Sequence, residues 1–502
     1  MVLLGAIDQG TSSSRFLVFD SASGDLVSSH QVHIFSSVRD KNNIEVKQEF
    51  PAPGFVEMDP VAIYQTCIEC VEKACANLEA MGISKDEIKS IGIANQRETT
   101  VVWDKETGKP LYNAFGLDRD YFKAKTGLPI HPYFSALKLK WLLKNVPEVQ
   151  EAKENGTLMF GTVDTWLIWN LTGGVRGGKH ITDVTNASRT LLLDLHKRKW
   201  SSELCNFFGI PYDILPEILS SAEVYGCMKD GALKGVPISG CLGDQQAAMV
   251  GHNCLKIGDT KSTYGTGTFL LCNSGVKPIL SKNGLLTTVG FQLGRDAPVC
   301  FALEGSGSIG GNVIRFLRDN LGFIKDSSEV EALAASVEDT EDVVFVPCFT
   351  GLFAPYWDST ARGTICGLTQ CVTKAHIARA ALKAVTLQTS EIIEAVEHDL
   401  DGEIKIHTIK VDGGMTANKL FNQMQADTLG RPIVCSKMAE ISGLGAAIAG
   451  GIGAGLLSMH EFSESDSPKI VRYEPKLDDE TRIAELKRWK STVKRAMNWT
   501  SH

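Results

Sequence analysis

Two apolar stretches open the chain, "LLGAID" from Leu3 to Asp8 and "RFLVFD" from Arg15 to Asp20, separated by a polar turn at Gly10-Thr11, a pattern that predicts paired strands. Apolar positions then recur at helical spacing from about Pro60 to Met81, placing Ile63, Cys67, Cys70, Ala74 and Leu78 on one stripe, and the run from Ile88 to Asn95 reads as another buried strand. Strands alternating with helices predict α/β architecture. The pattern restarts in the second half. An apolar strand from Pro237 delivers Asp244, and "KSTYGTGTFLLCNSG" from Lys261 to Gly275 repeats the strand, Gly-Thr turn, strand order of the opening. Two such hairpins predict two related halves facing one another across a cleft. The expected divisions are 1–253, 254–460 and a tail over 461–502, whose helix from Asp478 to Asn498 would dock through Ile483, Leu486, Trp489 and Val493. The tract from Gly443 to Leu457 is mostly glycine and alanine and falls short of the roughly 18 to 20 residues of a spanning helix, so it predicts a buried helix packed closely against a neighbour.

With 502 residues the chain exceeds one hydrophobic core, and 51 basic against 59 acidic residues with no polybasic run argue against a nucleic-acid or anionic-membrane partner. A small molecule or another protein is the expected partner. Thirteen cysteines, an odd number spread along a long chain, read as free thiols in a reducing compartment, Cys67-x-x-Cys70 included as core residues. The opening apolar run is too short for a signal peptide and is interrupted by Asp8, so the expected location is cytoplasmic, which leaves association with the mitochondrial outer surface open.

Two familiar motifs fail on context. "GGVRGGKH" (Gly173 to His180) approaches a nucleoside-triphosphatase loop, but His180 replaces the magnesium-binding hydroxyl and no apolar strand leads in, which leaves a surface turn. "GSGSIGG" (Gly305 to Gly311) spells G-x-G-x-x-G before "NVIRFLRDN", yet no acid follows at a strand end about 20 residues on, so a nicotinamide reading is weak.

The opening hairpin gathers Thr11, Ser12 and Ser13, whose hydroxyls and backbone N–H groups form a concavity suited to phosphate oxygens, and Arg15 adds positive charge. Alone it reads more readily as a polar turn that satisfies its own hydrogen bonds. Recurrence at Gly265-Thr266-Gly267 favours phosphate. A third turn, Asp412-Gly413-Gly414, ends a strand and precedes Asn418, letting a base or sugar lie against main chain. Three glycine turns with two acids on separate strands point to phosphoryl transfer.

Asp8-Gln9-Gly10-Thr11, Tyr264-Gly265-Thr266-Gly267 and Asp412-Gly413-Gly414 together resemble the actin, hexokinase and Hsp70 ATPase fold. Within it, "GIANQRETTVVWDKETGKPLYNA", "FGTVDTWLIWNLTGG", "DVTNASRT", "SGCLGDQQAA" and "FAPYWDSTARG" resemble the FGGY carbohydrate kinases, and Gln96-Arg97-Glu98-Thr99 with "GTVDTWLIW" resembles the members that phosphorylate glycerol. The resemblance implies an α/β chain of two duplicated ribonuclease H-like (actin/hexokinase-type) domains with a cleft between them. It also implies ATP-dependent, magnesium-dependent conversion of glycerol to sn-glycerol 3-phosphate by a homo-oligomer. Carried over by residue, Asp244 is the general base and, with Asp8, a magnesium ligand. Arg97, Glu98, Tyr133, Asp244, Gln245 and Phe269 surround glycerol. Thr11, Ser12, Ser13, Arg15 and Thr266 clamp phosphates, and Gly311, Arg315, Gly414 and Asn418 hold the nucleotide. The family carries a tryptophan, an acid and an arginine after "YNA"; here Phe115 leads directly to "GLDRDYF", so weakened turnover is expected. "HIFSSVRDKNNI" from His33 to Ile44 reads as an inserted solvated loop. A kinase for another small polyol and a nucleotide-binding protein without transfer activity stay open as alternatives.

Overall fold

The computed structural model describes residues 2–10, 13–33, 48–49, 57–97, 99–107, 122–307, 309–402, 404–436, 438, 440–459 and 470–500. Its first half begins with β1 (Leu3–Gln9), β2 (Ser13–Asp20) and β3 (Leu26–His33). Helix α1 (Pro60–Ala80) and β4 (Ile88–Asn95) follow, then α2 (Val163–Leu171), the short β5 (Gly226–Cys227), β6 (Pro237–Gly243) and α3 (Asp244–Gly251). The six strands lie in the order β5-β6-β4-β1-β2-β3, antiparallel through β1, β2 and β3 and parallel through β1, β4 and β6.

The second half repeats this plan with β7 (Thr260–Tyr264), β8 (Thr268–Gly275), β9 (Leu286–Phe291) and β10 (Cys300–Gly307). Helix α4 (Lys374–Asp399), β11 (Ile409–Asp412), α5 (Lys419–Leu429), β12 (Ile433–Ser436), α6 (Ile441–Gly453), β13 (Ile470–Tyr473) and α7 (Asp479–Ala496) complete it. Its sheet runs β9-β10-β8-β7-β11-β12-β13. Antiparallel β7, β8 and β10 correspond to β1, β2 and β3, and parallel β11 and β12 correspond to β4 and β6. The hairpin repetition in the sequence is thus a duplicated actin/hexokinase-type domain.

Alternation along the strands decides which side chains meet between the halves. In β1, Leu3 and Ile7 pack with the α1 stripe of Ile63, Cys67, Cys70, Ala74 and Leu78, whereas Leu4 and Ala6 face the other way, against α6, α3 and the second half. Asp8 continues that second set. In the second sheet Tyr264, Leu270, Leu303 and Val411 pack toward the α4 and α5 side, so Lys261, Phe269, Glu304 and Asp412 point to the opposite face, toward the first half. Helix α6 lies in this seam, pressed on β4 so closely that a Cβ at Gly92 would sit 1.7 Å from the Ala446 carbonyl oxygen. The Gly/Ala-rich composition of α6 is what permits this contact.

Helix α1 starts where Asp59 accepts a hydrogen bond from the Val61 N–H and Pro60 occupies the first turn. Burial pushes the Cys67 and Cys70 thiols up to about 12, as core thiols should be. All thirteen cysteines are unpaired. Residues 174–176 form an exposed turn in the rejected phosphate-loop motif, and Gly305 and Gly307 belong to β10. One expectation needs correction. Helix α7 docks through Leu486, Trp489 and Val493, but Ile483 is 59% exposed. At about 100° per residue the three buried positions and Ala496 share one stripe, and Ile483 falls off its edge. The expected loop insertion at His33 to Ile44 falls, beyond His33, outside the described residues. Among the described residues no helix is long and apolar enough to cross a membrane.

Candidate active site

The first side of the site is the β1-β2 hairpin. Asp8 and Arg15 are directly opposed across the two strands, and their side chains approach to 3.4 Å. Arg15 also pairs at 2.5 Å with Glu440, the residue before α6, so a second-half acid reaches a first-half hairpin. Burial pushes the Asp8 carboxyl up to about 6, opposed by Arg15 and reinforced by the negative charges of Glu440 and Asp244. Ser13 is buried at the hairpin end, where its carbonyl accepts from the Gly10 N–H at 2.9 Å. Thr11 and Ser12 lie outside the described residues.

Asp244 follows β6 and opens α3, close to Asp8 because β4 lies between β1 and β6, with Ala94 in register with both Asp8 and Leu242. Its Oδ1 lies 3.3 Å from Arg97 Nε and accepts from the Gln245 N–H at 2.7 Å. Arg97 is buried just past β4, and its guanidinium carbon lies 5.6 Å from the Phe269 ring centroid. The rest of its fork meets Glu304 of β10: Nη1 donates to Oε2 at 2.7 Å and Nη2 to Oε1 at 2.8 Å. Arg189 donates to the same two oxygens at 3.1 and 3.3 Å, and its guanidinium lies over Phe134, the neighbour of Tyr133. Burial alone would raise Glu304, but Arg189 and Arg97 hold it at about 2. The structure therefore brings Arg97, Asp244 and Phe269 together, with Tyr133 half-buried at the same corner. Glu98 lies outside the described residues.

A second buried chain runs from the same helix. Lys261 is fully buried and donates from Nζ to Gln245 Oε1 and, at 2.9 Å, to Thr263 Oγ1. Burial lowers Lys261 to about 8 against the opposing pull of Asp412 and Asp244. Thr263 is in register with Asp412, whose Oδ2 lies 2.7 Å from His252 Nε2 at the end of α3. Burial would raise Asp412, but the His252 hydrogen bond holds it below the ordinary carboxylate value.

Asp412 leads into the glycine turns. Gly413 has φ +95°, and a Cβ there would stand 2.6 Å from the Tyr264 carbonyl oxygen, so only glycine allows the turn to pass beside β7. Gly310 and Gly311 donate backbone N–H bonds to the Thr266 and Gly265 carbonyls at 2.9 and 2.7 Å, and Met415 reaches the vicinity of Gly311. Thr266, Gly311 and Gly414 therefore sit on converging turns. Asn418 caps α5 by accepting from the Phe421 N–H at 2.8 Å, while its buried Nδ2 has no protein partner. Arg315 is exposed on the short helix Asn312–Arg315 beyond Gly311.

The chain matches the FGGY family of carbohydrate kinases over its N-terminal domain at residues 3–251 and its C-terminal domain at residues 260–454. It belongs to the FGGY carbohydrate kinases. It is 62% identical over 518 aligned positions to a probable glycerol kinase of Caenorhabditis elegans, covering 99% of this chain and 100% of that one. It is 47% identical to glycerol kinase 1 of Streptomyces avermitilis, covering 99% and 97%. The ADP-bound crystal structure of Plasmodium falciparum glycerol kinase superposes with a TM-score of 0.83 at 34% identity, covering 99% of this chain and 98% of that one.

In this FGGY chain the motif residues Asp8, Arg97 and Asp244 were readable from the sequence, whereas Arg189, Lys261, His252, Glu304 and Glu440 were not singled out. A signal was present for one of them. Glu304 follows the apolar run Cys300–Leu303 at a position whose pleat mate Ala302 faces the seam, and a charge at such a position requires a partner from the other half.

Proposed function

We propose that the chain is an ATP-dependent glycerol kinase, ATP:glycerol 3-phosphotransferase, producing sn-glycerol 3-phosphate and ADP. The observation that carries this reading is the seam itself: Asp244, 3.3 Å from the guanidinium of Arg97, belongs to the first half, and the same guanidinium meets Glu304 and Phe269 of the second. Identity to glycerol kinases along the whole chain supports it.

Arg97, Glu98, Tyr133, Gln245 and Phe269 form the acceptor pocket, with Phe269 against the carbon chain and the polar groups on the hydroxyls. The terminal hydroxyl oxygen of glycerol attacks the γ-phosphorus, the bond from that phosphorus to the β,γ-bridging oxygen breaks, and ADP leaves. Asp244 accepts the hydroxyl proton. Its carboxylate suits this task because phosphoryl transfer depends mainly on alignment and charge stabilisation. Thr266, Gly311, Arg315, Gly414 and Asn418 hold the nucleotide, and Thr11, Ser12, Ser13 and Arg15 face its phosphates. Asp8, with Asp244, has the hard oxygen donors that magnesium prefers, and the raised pKa of Asp8 marks a carboxylate short of compensating positive charge. Bound magnesium supplies charge neutralisation at the phosphates.

A coupled assay of ADP release with and without glycerol tests the reading. Glycerol-dependent release is expected, and Asp244→Asn should lower kcat by roughly 100-fold to 10,000-fold while calorimetric ATP binding persists. Release indifferent to glycerol or to Asp244→Asn would overturn it, and preference for erythritol or dihydroxyacetone would redirect it to another acceptor. The C. elegans alignment spans 518 positions against 502 residues here, so that relative carries residues this chain lacks. The stretch after Ala114 lies within 108–121, outside the described residues, and its shortening favours a raised KM for glycerol in the same assay.

A further inference from the structure

We propose that Glu304 is a positioning residue for the acceptor alcohol: from the second half it locks the plane of the Arg97 guanidinium, with Arg189 as its anchor. The proposal rests on the acceptor role of Arg97 proposed above.

Arg97 reaches the pocket on a long, flexible side chain, and an arginine can aim its donors only if its plane is fixed. Two parallel bonds from Nη1 and Nη2 to the two Glu304 oxygens fix that plane, and Nε is left directed at Asp244. Glu304 is itself immobilised: it is fully buried, receives two bonds from Arg189 and a third from Ser306 Oγ at 3.2 Å, and Arg189 rests on the Phe134 ring. A buried ionic cluster contributes little net stability compared with apolar residues of the same volume. Its value here is geometric. Because Arg97 and Arg189 belong to the first half and Glu304 to the second, the acceptor pocket is completed across the seam.

The test measures glycerol and ATP kinetics of the full chain bearing Glu304→Gln, which keeps shape and loses the charge. A KM for glycerol raised by about tenfold or more, with KM for ATP within about twofold, is expected. Preference for glycerol over propane-1,3-diol, measured as a ratio of kcat/KM values, should shrink by about tenfold, because a loosely held Arg97 discriminates hydroxyls poorly. A merely structural residue would lower the active fraction and leave that preference intact. Should Glu304→Gln fail to fold, the charge-balanced Glu304→Gln/Arg189→Gln protein takes its place in the same measurements. Unchanged glycerol KM and unchanged preference in a folded variant overturn the proposal. Arg97→Lys serves as the control: if it leaves glycerol kinetics intact in an active enzyme, the acceptor reading of Arg97 falls and this proposal with it, whereas sensitivity to Arg97→Lys without sensitivity at Glu304 rejects the positioning role alone.

Discussion

At the scale of single residues, the magnesium role proposed for Asp8 and the stability of the fold oppose one another. Its carboxyl is raised from 3.8 to about 6 by burial, so between those values the folded protein holds a proton that the unfolded chain has already lost. Stability of the metal-free protein therefore falls as pH rises through that window, and above it the ionised group costs roughly 3 kcal/mol at most. Asp8→Asn removes this cost. At pH 7.5 without magnesium, the variant is expected to have a higher urea midpoint than the parent, with the gap closing toward pH 4, and to lose the extra stabilisation that magnesium and ATP give the parent. A lower midpoint would mean that the Arg15 pair outweighs burial. Asp8 and Asp244 were visible in the sequence because the first lies at the end of an apolar strand before the Gly-Thr turn and the second directly follows another apolar strand. Glu304 and Lys261 were harder to find because their meaning depends on which face of the pleat meets the other half, and that is set by long-range packing.

At the scale of elements, the hairpins, α1 and the buried strand β4 follow from periodicity, since each buries a face through contacts local in sequence. The seating of α6 on the first-half sheet does not. Its composition predicts a close neighbour without naming one, and Ile483 shows how an apolar residue one step off a helical stripe escapes burial. Helix α2 presents a further local prediction. Trp166 and Trp169 pack around Trp103, whose ring meets His180 edge-on at 5.7 Å, and His180 Nε2 lies 2.8 Å from the Phe160 carbonyl oxygen to which it donates. Burial lowers the His180 pKa from 6.5 to about 4, so the imidazole is folded neutral. The unfolded chain takes up its proton first, and stability contributed here is complete above pH 6.5 and is lost as pH falls toward 4. His180→Gln should flatten the dependence of unfolding free energy on pH across that window, read by tryptophan fluorescence in urea titrations at several pH values. An unchanged slope would show that the imidazole is hydrated in the folded state.

At the scale of the molecule, the duplicated halves are joined by more than a linker. Helix α6, late in the chain, covers β4, β1 and β6 of the first sheet, and its Leu444, Ala446, Ala447 and Ala449 share one core with Leu4, Ala6, Leu17 and Phe19. The buried pair Arg97–Glu304 and the half-buried pair Arg15–Glu440 cross the same seam. Neither sheet can satisfy its inner face alone. A fragment of residues 1–258 would leave the β1-β4-β6 face exposed and Arg97 and Arg189 without their acid, a larger loss than a surface loop or hinge would bring. Expressed by itself, that fragment is expected to bind a hydrophobic dye strongly and to unfold without a cooperative transition. Mixing with the complementary fragment 259–502 should lower dye binding and restore a transition, because α6 then regains its seat on β4. A fragment 1–258 that melts cooperatively and ignores the dye would show that the first sheet closes its own core, and that the seam serves only to align the reacting groups.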